Sequence, residues 1–408
     1  MAFSYVDGQL ARLSLAGSPQ LIADIVKDRH RAFYLYDLQG IGERVRELQT
    51  ALSGLNMGIH YAVKANHHPE VIKTIAGLGC GVDVVSGGEL NRALEAGVGG
   101  ERIVFSGVGK SRGEIELALR QSIFQINVES PQELERIAKV GAELGLQAPV
   151  AFRMNPDVSP DTHPYIKTGF RDNKFGMDEA LLPELFKILK ENSAHLKLMG
   201  LTMHIGSQLR ELSAVFEAVG KIWRLFEEIR SQGFDLQTLD VGGGLGIDYH
   251  SDSFKEEAEL MKRYGQELRD RFSGERAKSV RLLCEPGRIL VARFGLLLTQ
   301  VEYVKRTPYK NFAIVNSGMH HLLRPALYQA QHRILPLSLG GSKAGASDQE
   351  VYDVVGPICE SADVLGFDRR LPRLDEGDWL AVADCGAYGA VMASQYNLHE
   401  LPEEVVLS

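Results

Sequence analysis

Three strand ends carry most of the chemistry in this chain: a lysine, a run of glycines and a carboxylate. Lys64 closes the apolar stretch 58–64, GIHYAVK. Water-poor surroundings favour a neutral amine over an ammonium, and a neutral amine condenses with an aldehyde. Gly242, Gly243, Gly244 and Gly246 follow Leu239, Asp240 and Val241, and glycines let backbone N–H groups approach an anion without side-chain obstruction. Glu285 ends the stretch 280–285 and is followed by Pro286, Gly287 and Arg288. Taken singly, each has an ordinary reading. These are a snorkelling surface lysine, a tight turn, a strand-end salt bridge and, for His204, a packed core histidine. Taken together, an amine for an aldehyde and a cradle for a phosphate point to pyridoxal 5'-phosphate. Glu285 would then keep the pyridine nitrogen protonated, so that the ring accepts electrons when a bond at the substrate Cα breaks. His204 would face the ring.

Such residues need a scaffold that brings strand ends together. From about 58 to 288, short apolar runs at 58–64, 81–86, 102–107, 123–128, 149–155, 198–206, 236–242 and 280–285 alternate with amphipathic stretches. Near-continuous apolar strands, each followed by a helix, fit a parallel sheet buried on both faces, and eight of them fit a closed barrel. The fold class expected is therefore α/β, a (β/α)8 TIM-type barrel over 34–293. In such barrels the chemistry gathers at the C-terminal strand ends, with phosphate sites after strands seven and eight. At Ser130 the order Ser, Pro, Glu predicts a helix start with a cap, a first-turn proline and a capping-box acid. Beyond Arg288 the helical period is lost. Segments 296–306, 311–316, 352–356 and 378–384 are β-rich and broken by turn residues. They predict a mostly antiparallel second domain, formed by 294–408 with the strand-like 1–33. The stretch 338–350 reads as a mobile surface loop.

Composition narrows the function. With 45 Lys+Arg against 53 Asp+Glu, the net charge is −8, which gives nucleic acid or an anionic membrane no strong electrostatic reason to bind. No run approaches the ~18 apolar residues of a membrane span, and the start MAFSYVDGQL lacks a signal peptide's features. A cytoplasmic protein is expected. Cys80, Cys284, Cys359 and Cys385 are too scattered for a disulfide framework and read as free thiols. The His320–His321 pair has no third ligand at metal spacing, so it reads as polar loop content and no metal is expected.

The motifs YAVKAN (61–66), DVVSGGEL (83–90), TGFRDNKFG (168–176), HIGSQ (204–208), GGGLGI (242–247), EPGR (285–288), RPALY (324–328), CES (359–361) and GAYG (386–389) occur in this order along the chain. As a series they resemble the diaminopimelate decarboxylase family, within the alanine-racemase-like class of pyridoxal-phosphate enzymes. The resemblance implies decarboxylation of meso-2,6-diaminopimelate to L-lysine and carbon dioxide, the last step of lysine biosynthesis. It implies that Lys64 carries the cofactor through its amine, that His204 stacks on the ring and that Asp83 lies near the attachment point. Ser207, Gly242, Gly243, Gly244, the segment Glu285, Pro286, Gly287, Arg288, and Tyr388 would hold the phosphate or ring. Arg288, Arg324, Tyr328, Glu360 and Tyr388 would contact substrate. Cys359 would return a proton after carbon dioxide leaves. The family likeness has it and Glu360 reach the site from a partner subunit, which implies a homodimer.

Physical chemistry is consistent with those roles. Each end of diaminopimelate bears a carboxylate and an amine, so its distal end calls for a cation and an anion together. Arg324 offers a fork for the carboxylate and Glu360 a partner for the ammonium. Beside a cationic cofactor, Cys359 would titrate below the free-thiol value of about 8.5. The chain departs from the family pattern at Asn316, Ser317, His320 and His321, at Ala362, and at 393–397. Relatives acting on ornithine, arginine or lysine are the nearest alternative, although they typically carry Asp after the cysteine and lack the arginine of RPALY. A non-catalytic pyridoxal-phosphate carrier built from a lone barrel is the alternative of another class. The β-rich region with Cys359 and Tyr388 argues against it.

Overall fold

The computed structural model describes residues 3–13, 17–158, 174–274, 278–340 and 349–408. Most of the 338–350 stretch, and the motif residues 168–173, lie outside them. The chain divides into two compact units: Val45–Ile247 with Glu257–Gly287, and Met1–Arg44 with Asp248–Glu256 and Arg288–Ser408.

The first unit is a closed barrel of eight parallel strands, in order Met57–Ala62, Gly81–Val84, Ile103–Phe105, Gln125–Val128, Ala148–Arg153, Leu196–Thr202, Thr238–Asp240 and Arg281–Cys284. All eight expected strands are present. Each is shorter than its apolar run, because strand pairing stops where the chain turns over the barrel rim. Lys64 and His204 consequently lie just past their strands. Lys64 occupies a 3₁₀ turn, Val63–Ala65.

The helices follow from local sequence. Ser213–Ser231 buries Val215, Phe216, Ala218, Val219, Ile222, Leu225, Phe226 and Ile229, the three-and-four spacing of one apolar face. Ser111 and Glu114 form a reciprocal capping box at Arg112–Arg120. At Pro131–Leu144, Ser130 caps as expected, accepting from the Glu133 N–H. The acid, however, accepts from the Glu129 N–H at 2.7 Å and from Lys110 Nζ at 2.8 Å. That corrects the expected capping box: a buried lysine one helix away competes for the carboxylate.

Polar side chains also line the barrel interior. Thr238 Oγ1 donates to Gln125 Oε1 at 2.7 Å, and Gln125 Nε2 to Asn127 Oδ1 at 2.8 Å. Strands four and seven are not neighbours in the sheet, so this chain of bonds runs across the lumen. Full satisfaction makes such a buried network tolerable.

The second unit centres on Gly295–Arg306. Its first half pairs antiparallel with Phe33–Asp37 and Trp379–Val382, and its second half with Asn311–Val315. Ile334–Pro336, Gln349–Val355, Val364–Pro372 and Glu403–Leu407 complete an eight-stranded, mostly antiparallel sheet. Phe33–Asp37 belongs to this sheet, pairing also in parallel with Glu403–Leu407. The barrel border read at residue 34 thus falls inside a strand of the other unit, whose partners are too distant in sequence to be visible locally.

The first residues form a small sheet, Phe3–Val6, Gln9–Arg12 and Gln20–Leu21. Leu10 N–H donates to Leu337 O at 2.8 Å, and Arg12 pairs with Asp37 while donating to the Ser408 carbonyl at 2.9 Å. Leu10, Ile22, Phe33, Leu35, Leu296, Leu298 and Ala381 pack into one core. His320 and His321 lie in a turn, as polar loop content, but are buried there. Their ring centroids lie 3.8 Å apart, with His399 4.6 Å from His320. Burial and the neighbouring imidazoles push His320 down to about 3, and burial with His399 pushes His321 to about 4, so both are neutral near pH 7. Among the described residues no cluster of His, Cys, Asp and Glu is placed to hold a metal ion.

Candidate active site

At one end of the barrel, Lys64 Nζ donates to Asp83 Oδ2 at 2.8 Å. Asp83 leaves strand two fully buried, whereas 33% of the lysine side chain remains accessible. This corrects the expectation of a buried neutral amine. A carboxylate at that distance favours the ammonium and fixes its direction, so the pair presents a pre-aimed amine at the rim.

The loops after strands six, seven and eight close in beside it. Gly243 N–H donates to His204 Nδ1 at 3.3 Å, Leu209 N–H to Gly244 O at 2.8 Å, and Glu285 N–H to Gly242 O at 2.9 Å. This proximity explains the glycine run. A Cβ on Gly243 would lie 1.9 Å from Glu285 O, and Gly244 sits at φ +104° with Gly206 O only 2.2 Å from where its Cβ would be. Ser207 lies in the same loop, between Gly206 and Gln208 at φ +64°. Bare backbone from three loops thus meets at one place, the arrangement a phosphate cradle requires. Gly243→Ala is expected to lower the melting temperature by about 4–8 °C, from an overpacking cost of ~1–3 kcal/mol. It should also weaken cofactor binding about tenfold or more. Calorimetry and absorbance titration check both.

His204 accepts the Gly243 N–H, and burial with the charges of Arg153 and Lys64 holds its imidazole well below the usual range. It is therefore a neutral aromatic ring near pH 7. Glu285 is buried just past strand eight, with Ser106 Oγ and Asn127 Nδ2 each donating at 3.4 Å. Burial first, then the charges of Asp240 and Asp83, push its carboxyl well above the ordinary range. Asp240 accepts the Gly242 N–H at 2.8 Å, and burial raises its carboxyl to about 6. Neighbouring buried carboxyls disfavour carrying two negative charges at once. Burial and the neighbouring carboxylates thus favour the protonated form of Glu285 in the cofactor-free protein.

Asp240, Ser106, Asn127 and Gln125 were not singled out from sequence as site residues. The signal was present, since Gln125 and Asn127 are polar at alternate positions of a fully buried strand, and Asp240 directly precedes the glycine run.

In the second unit, a cluster forms around Tyr249. Arg288, at the start of a helical turn, donates from Nη1 to Tyr249 Oη at 2.7 Å and lies 4.6 Å over the Tyr388 ring. Tyr388 is held at φ +56°. Arg324, first residue of the short helix Arg324–Tyr328, lies 4.4 Å over the Tyr249 ring. Tyr328 ends that helix, half-buried. Cys359 and Glu360 occupy an exposed turn, where Glu360 Oε1 accepts from Tyr396 Oη at 2.5 Å. The other three cysteines are buried, and burial lifts Cys80 to about 11.

An amine that can take up an aldehyde, a side-chain-free anion cradle, a neutral imidazole and a buried acid together suit an aromatic aldehyde with an anionic tail. Known proteins agree. The family described as pyridoxal-dependent decarboxylase, pyridoxal binding domain, matches residues 38–292. The diaminopimelate decarboxylase of Vibrio cholerae is 41% identical, covering 95% of this chain and 89% of its own. That of Neisseria meningitidis is 43% identical, over 92% and 87%. Among solved structures, Helicobacter pylori diaminopimelate decarboxylase complexed with L-lysine superposes with a TM-score of 0.87 at 40% identity, covering 94% of this chain and 93% of that one. The chain belongs to the pyridoxal-dependent decarboxylases, in the diaminopimelate decarboxylase family.

Proposed function

We propose that this protein decarboxylates meso-2,6-diaminopimelate to L-lysine and carbon dioxide, with pyridoxal 5'-phosphate held at the barrel rim. The observation that carries the reading is the Lys64–Asp83 pair at the same barrel end as the glycine cradle and Glu285. The Helicobacter pylori relative binds L-lysine, which would be the product here.

Bound pyridoxal phosphate supplies an aldehyde to hold an amine and a ring that takes up electrons from the substrate Cα. The chain's own residues do the rest. Lys64 would hold the cofactor, and Asp83 keeps its amine aimed. Gly244, with Ser207 and Gly287, would take the phosphate through backbone and hydroxyl donors, while Gly242 and Gly243, whose N–H groups go to Asp240 and His204, and Pro286 would shape the loops around it. Glu285, whose burial favours a protonated carboxyl, would pair with a ring nitrogen and keep a proton there. His204 offers an uncharged aromatic face, which adds no positive charge to compete with the ring.

Arg288 and Tyr388 are assigned to cofactor and substrate, and Tyr328 and Arg324 to substrate, with Arg324 as the carboxylate fork. Glu360 is assigned to the distal ammonium and Cys359 to proton return. Exposure of Cys359 and Glu360 in the single chain supports their donation to a second copy in a homodimer. The four free thiols support residence in a reducing, cytoplasmic compartment, and no described helix is long and apolar enough to cross a membrane.

Carbon dioxide release by the cofactor-loaded protein tests the reading, with meso-diaminopimelate set beside L-ornithine, L-arginine and L-lysine. A preference of about 10²-fold or more for diaminopimelate is expected, since a site built for a distal carboxylate leaves its polar groups unpaired with the other three. Faster turnover of a diamine precursor would move the protein to its relatives. An absorbance spectrum indifferent to all four would make it a carrier.

A further inference from the structure

Arg324 is 6% exposed, yet among the described residues it forms no ion pair. Its guanidinium donates from Nη1 to His332 Nε2 at 2.7 Å. A buried guanidinium without a carboxylate partner is costly unless a ligand supplies the anion, so what orients it decides which ligand fits.

Local chain geometry brings His332 to it. Gln329, at φ +52°, ends the helix in the left-handed region and turns the chain back, so that His332, 1% exposed, lies beside the first residue of that helix. Its Nδ1 is 2.8 Å from Ala383 O. A carbonyl only accepts, so Nδ1 carries the hydrogen. Arginine only donates, so Nε2 presents its lone pair. The tautomer is thus dictated from both sides. Burial and the Arg324 charge also hold this imidazole well below its usual range, which keeps the lone pair in place near neutral pH. Meanwhile the Tyr249 ring covers one face of the guanidinium.

We propose that His332 is a positioning residue for Arg324: by accepting from Nη1 it leaves the Nε–Nη2 edge for a side-on, bidentate bond to the distal carboxylate of the substrate. The proposal rests on the function proposed above, which assigns Arg324 to that carboxylate. It predicts selectivity for ligands that retain the group. L-lysine has it; 1,5-diaminopentane is the same diamine without it.

The test uses the cofactor-loaded enzyme, His332→Phe and His332→Gln, with inhibition constants for both diamines and steady-state rates on meso-diaminopimelate. For His332→Phe, KM should rise about 20-fold with kcat within about 3-fold, the signature of lost ground-state binding. The L-lysine constant should weaken about as much, while that for 1,5-diaminopentane stays put. His332→Gln can present a carbonyl to Arg324 and an amide N–H to Ala383 O, and should recover most of the loss. Should the phenylalanine protein not fold, His332→Leu supplies the same comparison. Equal weakening of both diamines, or no recovery with glutamine, would overturn the positioning role. If the wild-type enzyme bound the two diamines alike, the assignment of Arg324 to a carboxylate would fall first, and the proposal with it.

Discussion

Lys64→Ala is expected to abolish covalent cofactor attachment and to lower kcat by about 10³-fold or more, equivalent to ~4 kcal/mol of barrier. The amine is the only group of the Lys64–Asp83 pair able to condense with an aldehyde, and a methyl in its place would leave the cofactor only the non-covalent contacts proposed for it. The substitution also has a structural cost. Asp83 is fully buried and its Oδ1 has no hydrogen-bond partner among the described residues, so losing the lysine strands a carboxylate. Breaking a buried pair costs ~3–5 kcal/mol, and the accessible third of the lysine puts this case at or below the low end. Combining Lys64→Ala with Asp83→Asn separates the two effects, because the double variant should regain thermal stability and regain no turnover. Difference absorbance, melting curves and single-turnover rates read them out. A persistent protein-bound chromophore that survives borohydride and denaturation in Lys64→Ala would place the attachment on another residue.

Glu285→Gln should act in opposite directions on the cofactor-free protein and on the working enzyme. Glutamine copies the shape of the protonated acid but cannot titrate. A carboxyl whose folded pKa is raised contributes stability that is complete below its unfolded value of about 4.3 and is lost as pH rises through the folded value. Glu285 is raised well above the ordinary range and Asp240 to about 6. Between about pH 4 and 6 and beyond, the cofactor-free wild type should therefore lose stability to these two acids. The variant should lose less, because one titration is gone and Asp240 no longer faces a second charge. With cofactor bound, in the role proposed for Glu285, the ring nitrogen would lose its carboxyl partner, and kcat should fall by about 10²–10³. Urea melts of the cofactor-free proteins at pH 5.5 and 8, beside kcat, check the pair of signs. Equal pH slopes in the two proteins would remove Glu285 as the buried acid.

The eight barrel strands were legible because parallel strands sandwiched between layers are largely apolar, which leaves a strong signal in short runs even where polar residues such as Gln125 and Asn127 line the interior. Helix Pro131–Leu144 could be placed from Ser130 and Pro131 alone. The rim residues were legible through their position after those strands. What escaped depends on partners far along the chain. Phe33–Asp37 looks like any buried strand, and only its pairing with Gly295–Arg306 and Glu403–Leu407 assigns it to the second unit. Tyr249 and His332 are unremarkable residues in sequence, and they acquire a role through the arginines they touch. The raised pKa of Glu285 escaped for a related reason: burial sets it first, and then the charges of Asp240 and Asp83, on two other strands.

The parallel pairing of Glu403–Leu407 with Phe33–Asp37 bears on how the protein is made. All of the barrel's residues have been synthesised once Gly287 emerges, whereas the other sheet lacks a strand until Leu407 has left the ribosome. The delay is about 6–24 s at ~5–20 residues per second. Through that interval Phe33–Asp37 waits with one edge unpaired, the kind of edge that invites association between nascent chains. A pulse of synthesis stalled before residue 403 should accordingly yield a protease-resistant barrel and a chaperone-bound remainder.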